Sequence, residues 1–240
     1  MLGKMGILKS KEGRPRLLTR LLLYSTNENF VHQWVSGYMK KGDVVLDVGA
    51  RKFPYTRYQK VKALYGIDLP SKTEGYLGWT DEYHKELLAQ KNIFPILGSC
   101  EDMPFEDNYF DNAVMTEVLE HVEGDEQAIS ELARVLKKNG RLLITTPNGT
   151  EVANTNPHHI RHYRVSQLRK LLSKYFEEVE IQTKFPNQSL FIKQHLPKNQ
   201  TLPKRLFWKY VYEAWHGAYG HKRPGGYSIV ATCGNPRSAT

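Results

Sequence analysis

Short, nearly unbroken apolar runs alternate along the chain with longer segments in which apolar residues recur at helical spacing. Apolar runs without polar alternation are typical of strands buried on both faces, as in parallel sheets. Five such runs predict strands at residues 44–49, 63–69, 93–98, 110–116 and 141–146. Two later segments, 177–184 and 227–233, predict two further strands.

Helical segments lie between these strands and towards both ends of the chain. The spacing predicts helices at residues 15–24, 27–39, 125–138, 166–175 and 204–219. In the third of these, Ile129, Leu132 and Leu136 form one apolar stripe, and Asn139-Gly140 predicts the helix end. Strands that alternate with helices indicate βαβ units, and therefore a parallel sheet.

Length and cysteine content narrow the class of protein. A chain of 240 residues suits one large α/β domain and can bury enough surface to need neither disulfides nor a structural metal. Its two cysteines, Cys100 and Cys233, are typical of reduced thiols in a cytoplasmic protein. The apolar stretch 17–24 is too short to cross a bilayer, and no signal peptide is recognisable. We therefore expect a cytoplasmic protein without a transmembrane helix, and leave its oligomeric state open.

Charge is distributed unevenly along the sequence. The formal net charge is +9, but residues 1–62 carry +9, residues 63–133 carry −13 and residues 134–240 carry +13. Basic ends suit contact with nucleic acid, an anionic membrane surface or an anionic substrate. The apolar helix face at 17–22 suits peripheral membrane contact, although packing against the sheet is the interpretation we favour. We predict a basic N-terminal helical extension at 1–42 and one main domain at 43–240.

Polar residues follow the predicted strands where the chemistry of an open parallel sheet is expected. The first strand ends at Asp47 and Gly49, and the second ends at Asp68, a spacing at which an acidic group can bind ribose hydroxyls. The third is followed by residues 98–102, and the fourth ends at Thr116. These strand ends predict a nucleotide-like ligand.

The stretch Gly98–Asn148, GSCEDMPFEDNYFDNAVMTEVLEHVEGDEQAISELARVLKKNGRLLITTPN, resembles class I methyltransferases that use S-adenosylmethionine, specifically the type 11 group. Its acidic Pro-Phe loop, Leu-Glu-His-Val turn and Gly-Arg-Leu-Leu-Ile strand follow the order of that family. The resemblance covers roughly residues 43–233. It implies a doubly wound, mostly parallel seven-stranded sheet, here with N-terminal helices and a C-terminal aromatic helix, and S-adenosyl-L-methionine as cofactor.

The resemblance also implies a set of cofactor-binding residues, which share positions at or just after the strand ends. They are Asp47, Gly49, Ala50, Arg51, Asp68, Ser99, Cys100, Glu101, Asp102 and Thr116. Arg51 and Phe53 replace the second and third glycines of the family's Asp-x-Gly-x-Gly-x-Gly loop. Arg51 is then a tolerated loop residue, a partner of the cofactor carboxylate, or a sign of a decayed site. Ser99 occupies the position at which many relatives have an acidic residue. The resemblance therefore implies that Glu101 or Asp102 binds the adenine amine instead.

Histidines supply the candidate catalytic groups, because imidazole is the usual base near neutral pH. His121 follows the fourth strand, and His158, His159 and His162 lie in the loop after the fifth. His121 has a second interpretation, as a residue that shapes the pocket without moving protons. No Cys or Asp joins the three loop histidines, so we predict no bound metal.

The candidate substrate-binding residues are Arg161, Tyr163, Arg164 and Trp215. We predict methyl transfer to a small-molecule or glycan acceptor, on oxygen, with similarity to enzymes of bacterial polysaccharide and secondary-metabolite pathways. The alternatives are an RNA methyltransferase, suggested by the positive charge, and a non-catalytic scaffold on the same fold, suggested by the altered glycine loop.

Overall fold

The computed structural model describes residues 26–71, 78–184 and 226–237. The described helices are α1 Thr26–Tyr38, α2 Asp81–Leu88, α3 Asp125–Val135 and α4 Val165–Tyr175, with a short 3-10 helix at Leu119–His121. The strands are β1 Val44–Val48, β2 Ala63–Asp68, β3 Ile93–Leu97, β4 Phe110–Thr116, β5 Leu136–Pro147, β6 Phe176–Lys184 and β7 Ser228–Pro236.

The seven described strands form one sheet in the order β3-β2-β1-β4-β5-β7-β6. Strands β1 to β5 pair in parallel. Strand β7 is antiparallel to both of its neighbours, β5 and β6. Strands β1 to β3 extend the sheet to one side, and β4 and β5 extend it to the other. This change of side between β1 and β4 places a crevice at the carboxyl ends of these two strands. The predicted mostly parallel seven-stranded sheet is confirmed.

Alternate residues of the central strands point to opposite faces of the sheet, and both faces are covered by buried hydrophobic residues. On one face, Leu46 and Met115 pack with helices α3 and α4. On the other face, Val114 packs against Val31 and Val35 of helix α1. Helices on both faces explain why the strands are apolar throughout, and the doubly wound class is confirmed.

The junction between α3 and β5 differs from the prediction. The helix ends at Val135, whereas its apolar stripe predicts a continuation to Lys138. Leu136 instead enters the sheet opposite Phe110, and the pairing then shifts so that Arg141 lies opposite Asn112. The strand therefore begins five residues before the predicted start at 141, with an irregularity in between.

Helix α2 was not predicted, although its start carries a recognisable signal. The Thr80 hydroxyl accepts a hydrogen bond from the Tyr83 backbone N–H, and Asp81 and Glu82 occupy the first turn. An N-cap threonine followed by acidic residues stabilises the positive end of a helix.

Three predicted features lie outside the described residues. They are the helix at 15–24 with its apolar face at 17–22, the aromatic helix at 204–219, and the proposed substrate contact of Trp215. The predicted boundary at residue 42 stays a prediction. Within the described ranges, every helix is too short or too polar to cross a membrane.

Candidate functional site

A cavity of about 690 Å³ opens at the carboxyl ends of β1 to β4. Its volume falls in the range of small-molecule sites, and its position is the reversal point of the sheet. Seven of the residues predicted to bind a cofactor line it: Gly49, Arg51, Asp68, Ser99, Cys100, Glu101 and Thr116. The structure thus brings together residues that are up to 67 positions apart in the sequence.

The loop after β1 keeps the backbone of a glycine-rich loop without its second and third glycines. Gly49 has φ +63°, and a Cβ there would lie 2.4 Å from a methyl group of Val118. Arg51 and Phe53 also have positive φ, at +42° and +51°. Phe53 is fully buried and stacks on Trp79, so of the two replacements only Arg51 is among the residues that line the cavity. The replaced glycines therefore leave the loop path intact at some cost in backbone strain.

Asp47 and Ala50 lie behind the cavity wall rather than in it. Both are buried, and neither is among the lining residues. The Thr56 hydroxyl donates a short hydrogen bond to the Asp47 carboxylate. Burial raises the pKa of Asp47 to about 8, and the Thr56 hydrogen bond opposes this only in part. Asp47 therefore contributes to the site indirectly, through its hydrogen bond with Thr56 in the loop after β1.

Asp68 presents a carboxylate to the cavity from the end of β2. One oxygen accepts the backbone N–H of Arg51 and the other that of Leu69, both at 2.9 Å. Burial raises the pKa of Asp68, and these two hydrogen bonds counteract the shift. Each carboxylate oxygen has two acceptor positions, so Asp68 retains capacity for two hydroxyl donors.

The loop after β3 contributes a second polar wall. The Ser99 hydroxyl accepts the Glu101 backbone N–H at 3.1 Å, and Glu101 also accepts the N–H of Gly124 at the start of α3. Asp102 is exposed and is not a lining residue. Burial raises the pKa of the Cys100 thiol to about 12, which keeps it neutral. Of the two acids considered for the adenine amine, the structure places Glu101 at the cavity.

Glu120 and His121 line the cavity just beyond the end of β4. Nδ1 of His121 lies 2.8 Å from the carbonyl oxygen of His158. Glu120 is 1% exposed, and one of its carboxylate oxygens accepts the Thr146 hydroxyl at 3.0 Å. Burial, followed by repulsion from the Glu117 carboxylate, raises the pKa of Glu120 to about 8. The sequence interpretation missed Glu120, although a buried acid between apolar residues of the Leu-Glu-His-Val turn is itself a signal.

His159 and His162 also line the cavity, opposite His121. The rings of His121 and His159 meet edge to face with centroids 4.6 Å apart, and Nδ1 of His159 lies 2.7 Å from Nε2 of His162. Burial lowers the pKa values of His121 and His159, which favours neutral imidazoles. The side chain of His158 is exposed and outside the lining, so only its backbone takes part in the site.

Arg161, Tyr163 and Arg164 are not among the lining residues. The Arg161 guanidinium donates to the carbonyl oxygens of Val122 and Glu123 at 2.7 and 2.9 Å. Tyr163 is buried and donates to Asp125 at 2.6 Å, whereas Arg164 is exposed and begins α4. The Arg161 guanidinium and the Tyr163 phenol thus connect the loop after β5 to residues 122–125, and the predicted substrate contacts of these residues stay a prediction.

Residues 46–144 match a protein-family model described as a methyltransferase domain. Among curated proteins, the chain is similar to the ubiquinone/menaquinone biosynthesis C-methyltransferase UbiE of Francisella tularensis subsp. novicida. The two are 30% identical over 146 residues, which is 58% of this chain and 57% of that protein. The chain thus spans little more than half the length of this curated relative.

Solved structures of methyltransferases share the fold. A SAM-dependent methyltransferase from Archaeoglobus fulgidus superposes with a TM-score of 0.59 at 15% identity, covering 92% of this chain and 98% of that one. Phosphoethanolamine N-methyltransferase 2 of Haemonchus contortus, in complex with S-adenosyl-L-methionine, gives a TM-score of 0.56 at 17% identity. That superposition covers 87% of this chain and 52% of the other.

Proposed function

We propose that residues 46–144, which match a methyltransferase-domain model, form a class I S-adenosylmethionine-dependent methyltransferase domain. On this premise, the protein methylates a hydroxyl-bearing small molecule or glycan. The observation that carries the proposal is one cavity with two chemically different ends. One end carries the Asp68 carboxylate and the β3 loop, and the other carries His121 and His159. The first suits a nucleoside, and the second suits a group that must lose a proton.

The residues present fit S-adenosyl-L-methionine as the methyl donor. Asp68 keeps two acceptor positions for ribose hydroxyls, and Gly49 lets the backbone come close to a ligand. The Arg51 guanidinium at the cavity wall suits the carboxylate of the methionine moiety. When bound, the cofactor supplies a methyl group made electrophilic by its sulfonium sulfur.

The histidine end of the cavity supports deprotonation of the acceptor. A carbonyl oxygen only accepts hydrogen bonds, so the contact with His158 O places the proton of His121 on Nδ1 and leaves Nε2 as the basic atom. Nε2 of His121 would take the hydroxyl proton while the acceptor oxygen takes up the methyl group that the bound cofactor would supply.

A second candidate is methylation of a ring carbon next to a hydroxyl. It is favoured by the similarity to a curated protein named a C-methyltransferase of quinone biosynthesis. The same base serves both reactions, because removing the phenolic proton makes the ring carbon nucleophilic as well as the oxygen. The two candidates differ in the atom that carries the methyl group.

Calorimetric titration with S-adenosylhomocysteine tests the cofactor end. We expect Asp68→Asn to weaken binding by about tenfold or more, because hydrogen bonds to a charged acceptor contribute about 1.5–3 kcal/mol. Asp102→Asn, a change of the same kind in the neighbouring loop, should bind as the wild type does, since Asp102 is exposed and outside the cavity. Equal binding by wild type and Asp68→Asn would contradict the assignment.

Incubation with cofactor carrying an isotopically labelled methyl group tests the acceptor end. Panels of sugars, phenols and hydroxyquinones are the acceptors, and NMR of the product assigns the methyl group to oxygen or carbon. Transfer to hydroxylated acceptors, lost in His121→Ala, is the expected result. Transfer only to amines would refute the proposal.

A further inference from the structure

Three potential ligand atoms converge at the histidine end of the cavity. A carboxylate oxygen of Glu120 and one ring nitrogen each of His121 and His159 all lie within 4.8 Å of one another. In a tetrahedral site, two ligand atoms that are each about 2.1 Å from the ion are about 3.4 Å apart. The three atoms therefore have to approach one another by at most about 1.4 Å to share an ion, which small side-chain rotations can supply.

The Glu120 carboxylate points to a missing partner. Its Oε2 accepts the Thr146 hydroxyl, whereas Oε1 has no hydrogen-bond partner among the described residues, although the side chain is 99% buried. Buried carboxylate oxygens are rarely left without a hydrogen bond or a cation, because the desolvation is costly.

Hydrogen bonds set which ring nitrogen of each imidazole carries the proton. Nδ1 of His121 donates to His158 O, and Nδ1 of His162 donates to Val152 O at 3.0 Å. Nε2 of His162 is then an acceptor, which makes Nδ1 of His159 the donor between them. His121 and His159 therefore both carry their proton on Nδ1. Metal-ligating histidines show this pattern, with the distal N–H held by a carbonyl or another acceptor.

We propose that Glu120, His121 and His159 bind one divalent first-row transition-metal ion at the acceptor end of the cavity. Two imidazoles and one carboxylate are a donor set for Fe²⁺, Zn²⁺, Co²⁺ or Mn²⁺, rather than for Ca²⁺, which prefers oxygen ligands throughout. Three protein ligands leave coordination positions open towards the cavity, as in catalytic sites.

This inference rests on the proposed function and deepens it. An ion at this place would bind the oxygen of the acceptor hydroxyl and lower its pKa. His121 would then act as a ligand, and the hydroxyl proton would leave to water instead of to the imidazole. The acceptor class narrows accordingly to molecules whose hydroxyl oxygen can ligate a metal, such as phenols, enols and sugar diols.

Titration of the metal-free, untagged full chain with Co²⁺ tests the site, monitored by visible absorption and calorimetry. We expect one Co²⁺ per chain in the wild type and at least tenfold weaker binding in Glu120→Gln and His159→Ala. His158→Ala is the matched control, because it removes a histidine from the same loop whose side chain lies outside the cavity. It should bind Co²⁺ as the wild type does.

Glu120→Gln is nearly isosteric, and its melting temperature without metal should equal or exceed that of the wild type, since a buried carboxylate is removed. Absence of stoichiometric Co²⁺ binding, or equal binding by wild type, Glu120→Gln and His159→Ala, would overturn the metal site. Neither result bears on the proposed methyl transfer, because no cofactor or acceptor is present. Failure to bind S-adenosylhomocysteine by a chain that binds Co²⁺ would instead refute the proposed function.

Discussion

The contact between Phe53 and Gly66 gives a quantitative test of how the β1 loop is held. The Phe53 ring occupies the space above Gly66, where an added Cβ would lie 2.3 Å from Cζ of the ring and 3.1 Å from Cβ of Ala50. Gly66→Ala should therefore destabilise the wild type by about 1–3 kcal/mol through overpacking. Phe53→Ala should cost about 3–5 kcal/mol, because a fully buried ring stacked on Trp79 is removed.

The two changes should compensate when combined. Without the ring, the new methyl group at residue 66 occupies part of the cavity, and alanine also lowers the entropy of the unfolded chain, worth about 0.4–1 kcal/mol. Gly66→Ala is then expected to stabilise the Phe53→Ala protein, which gives a coupling free energy of about 2–3 kcal/mol. Urea unfolding followed by tryptophan fluorescence measures all four proteins. Equal destabilisation by Gly66→Ala in both backgrounds would refute the packing argument.

Three further outcomes follow from the site. Folded Asp47 keeps its proton up to about pH 8 and unfolded Asp releases it near 3.8, so wild-type stability should fall across that window by about 1.4 kcal/mol per pH unit. Other buried carboxyl groups with raised pKa values, such as Glu120, add to the same slope. Urea unfolding at several pH values should therefore show the slope reduced by about 1.4 kcal/mol per pH unit in Asp47→Asn, and an unchanged slope would contradict the pKa shift of Asp47. Arg51 has a left-handed backbone conformation at φ +42°, which glycine adopts without strain, so Arg51→Gly should raise the free energy of unfolding by about 1 kcal/mol. The same change removes the guanidinium proposed to bind the cofactor carboxylate, so the affinity for S-adenosylhomocysteine in calorimetry should fall about tenfold. A lower free energy of unfolding for Arg51→Gly than for the wild type would contradict the inferred backbone strain at residue 51. Arg161→Lys removes the paired hydrogen bonds of the guanidinium to the carbonyl oxygens of Val122 and Glu123. Hydrogen exchange of the neighbouring Ile160 amide, which donates to Glu120 O, should then accelerate. Unchanged protection of this amide would show that Arg161 does not hold the loop.

Much of the fold could be predicted because the sheet is parallel. Strands buried on both faces are apolar without interruption, so runs such as 44–49 and 110–116 stand out in the sequence. The end of α3 could not be predicted, because Leu136 fits the helical stripe as well as the strand, and its pairing with Phe110 decides between them. Tertiary contact overrides local periodicity there.

The cofactor end of the site was more predictable than the acceptor end. Asp68 is the last residue of β2 and Ser99 lies two residues after β3, so the strand assignment alone brings them to one edge of the sheet. Glu120 and His159 are 39 positions apart in the sequence and meet through the loop after β5. Arg161 suggested an anion-binding group, but its partners include backbone carbonyl oxygens, which every residue possesses and no sequence pattern marks.

The position of β7 has a consequence for how the domain is made. This strand inserts between β5 and β6, with Ile229, Ala231 and Cys233 fully buried, although β6 precedes it in the chain. Until residues 228–236 leave the ribosome, β5 has an open edge and β6 has no neighbour among the described strands. Nascent chains that stall before this point would expose unpaired strand edges, which are templates for association between chains. Completion of the sheet therefore has to wait for residues 228–236, and chaperone binding should be concentrated in the interval before they emerge.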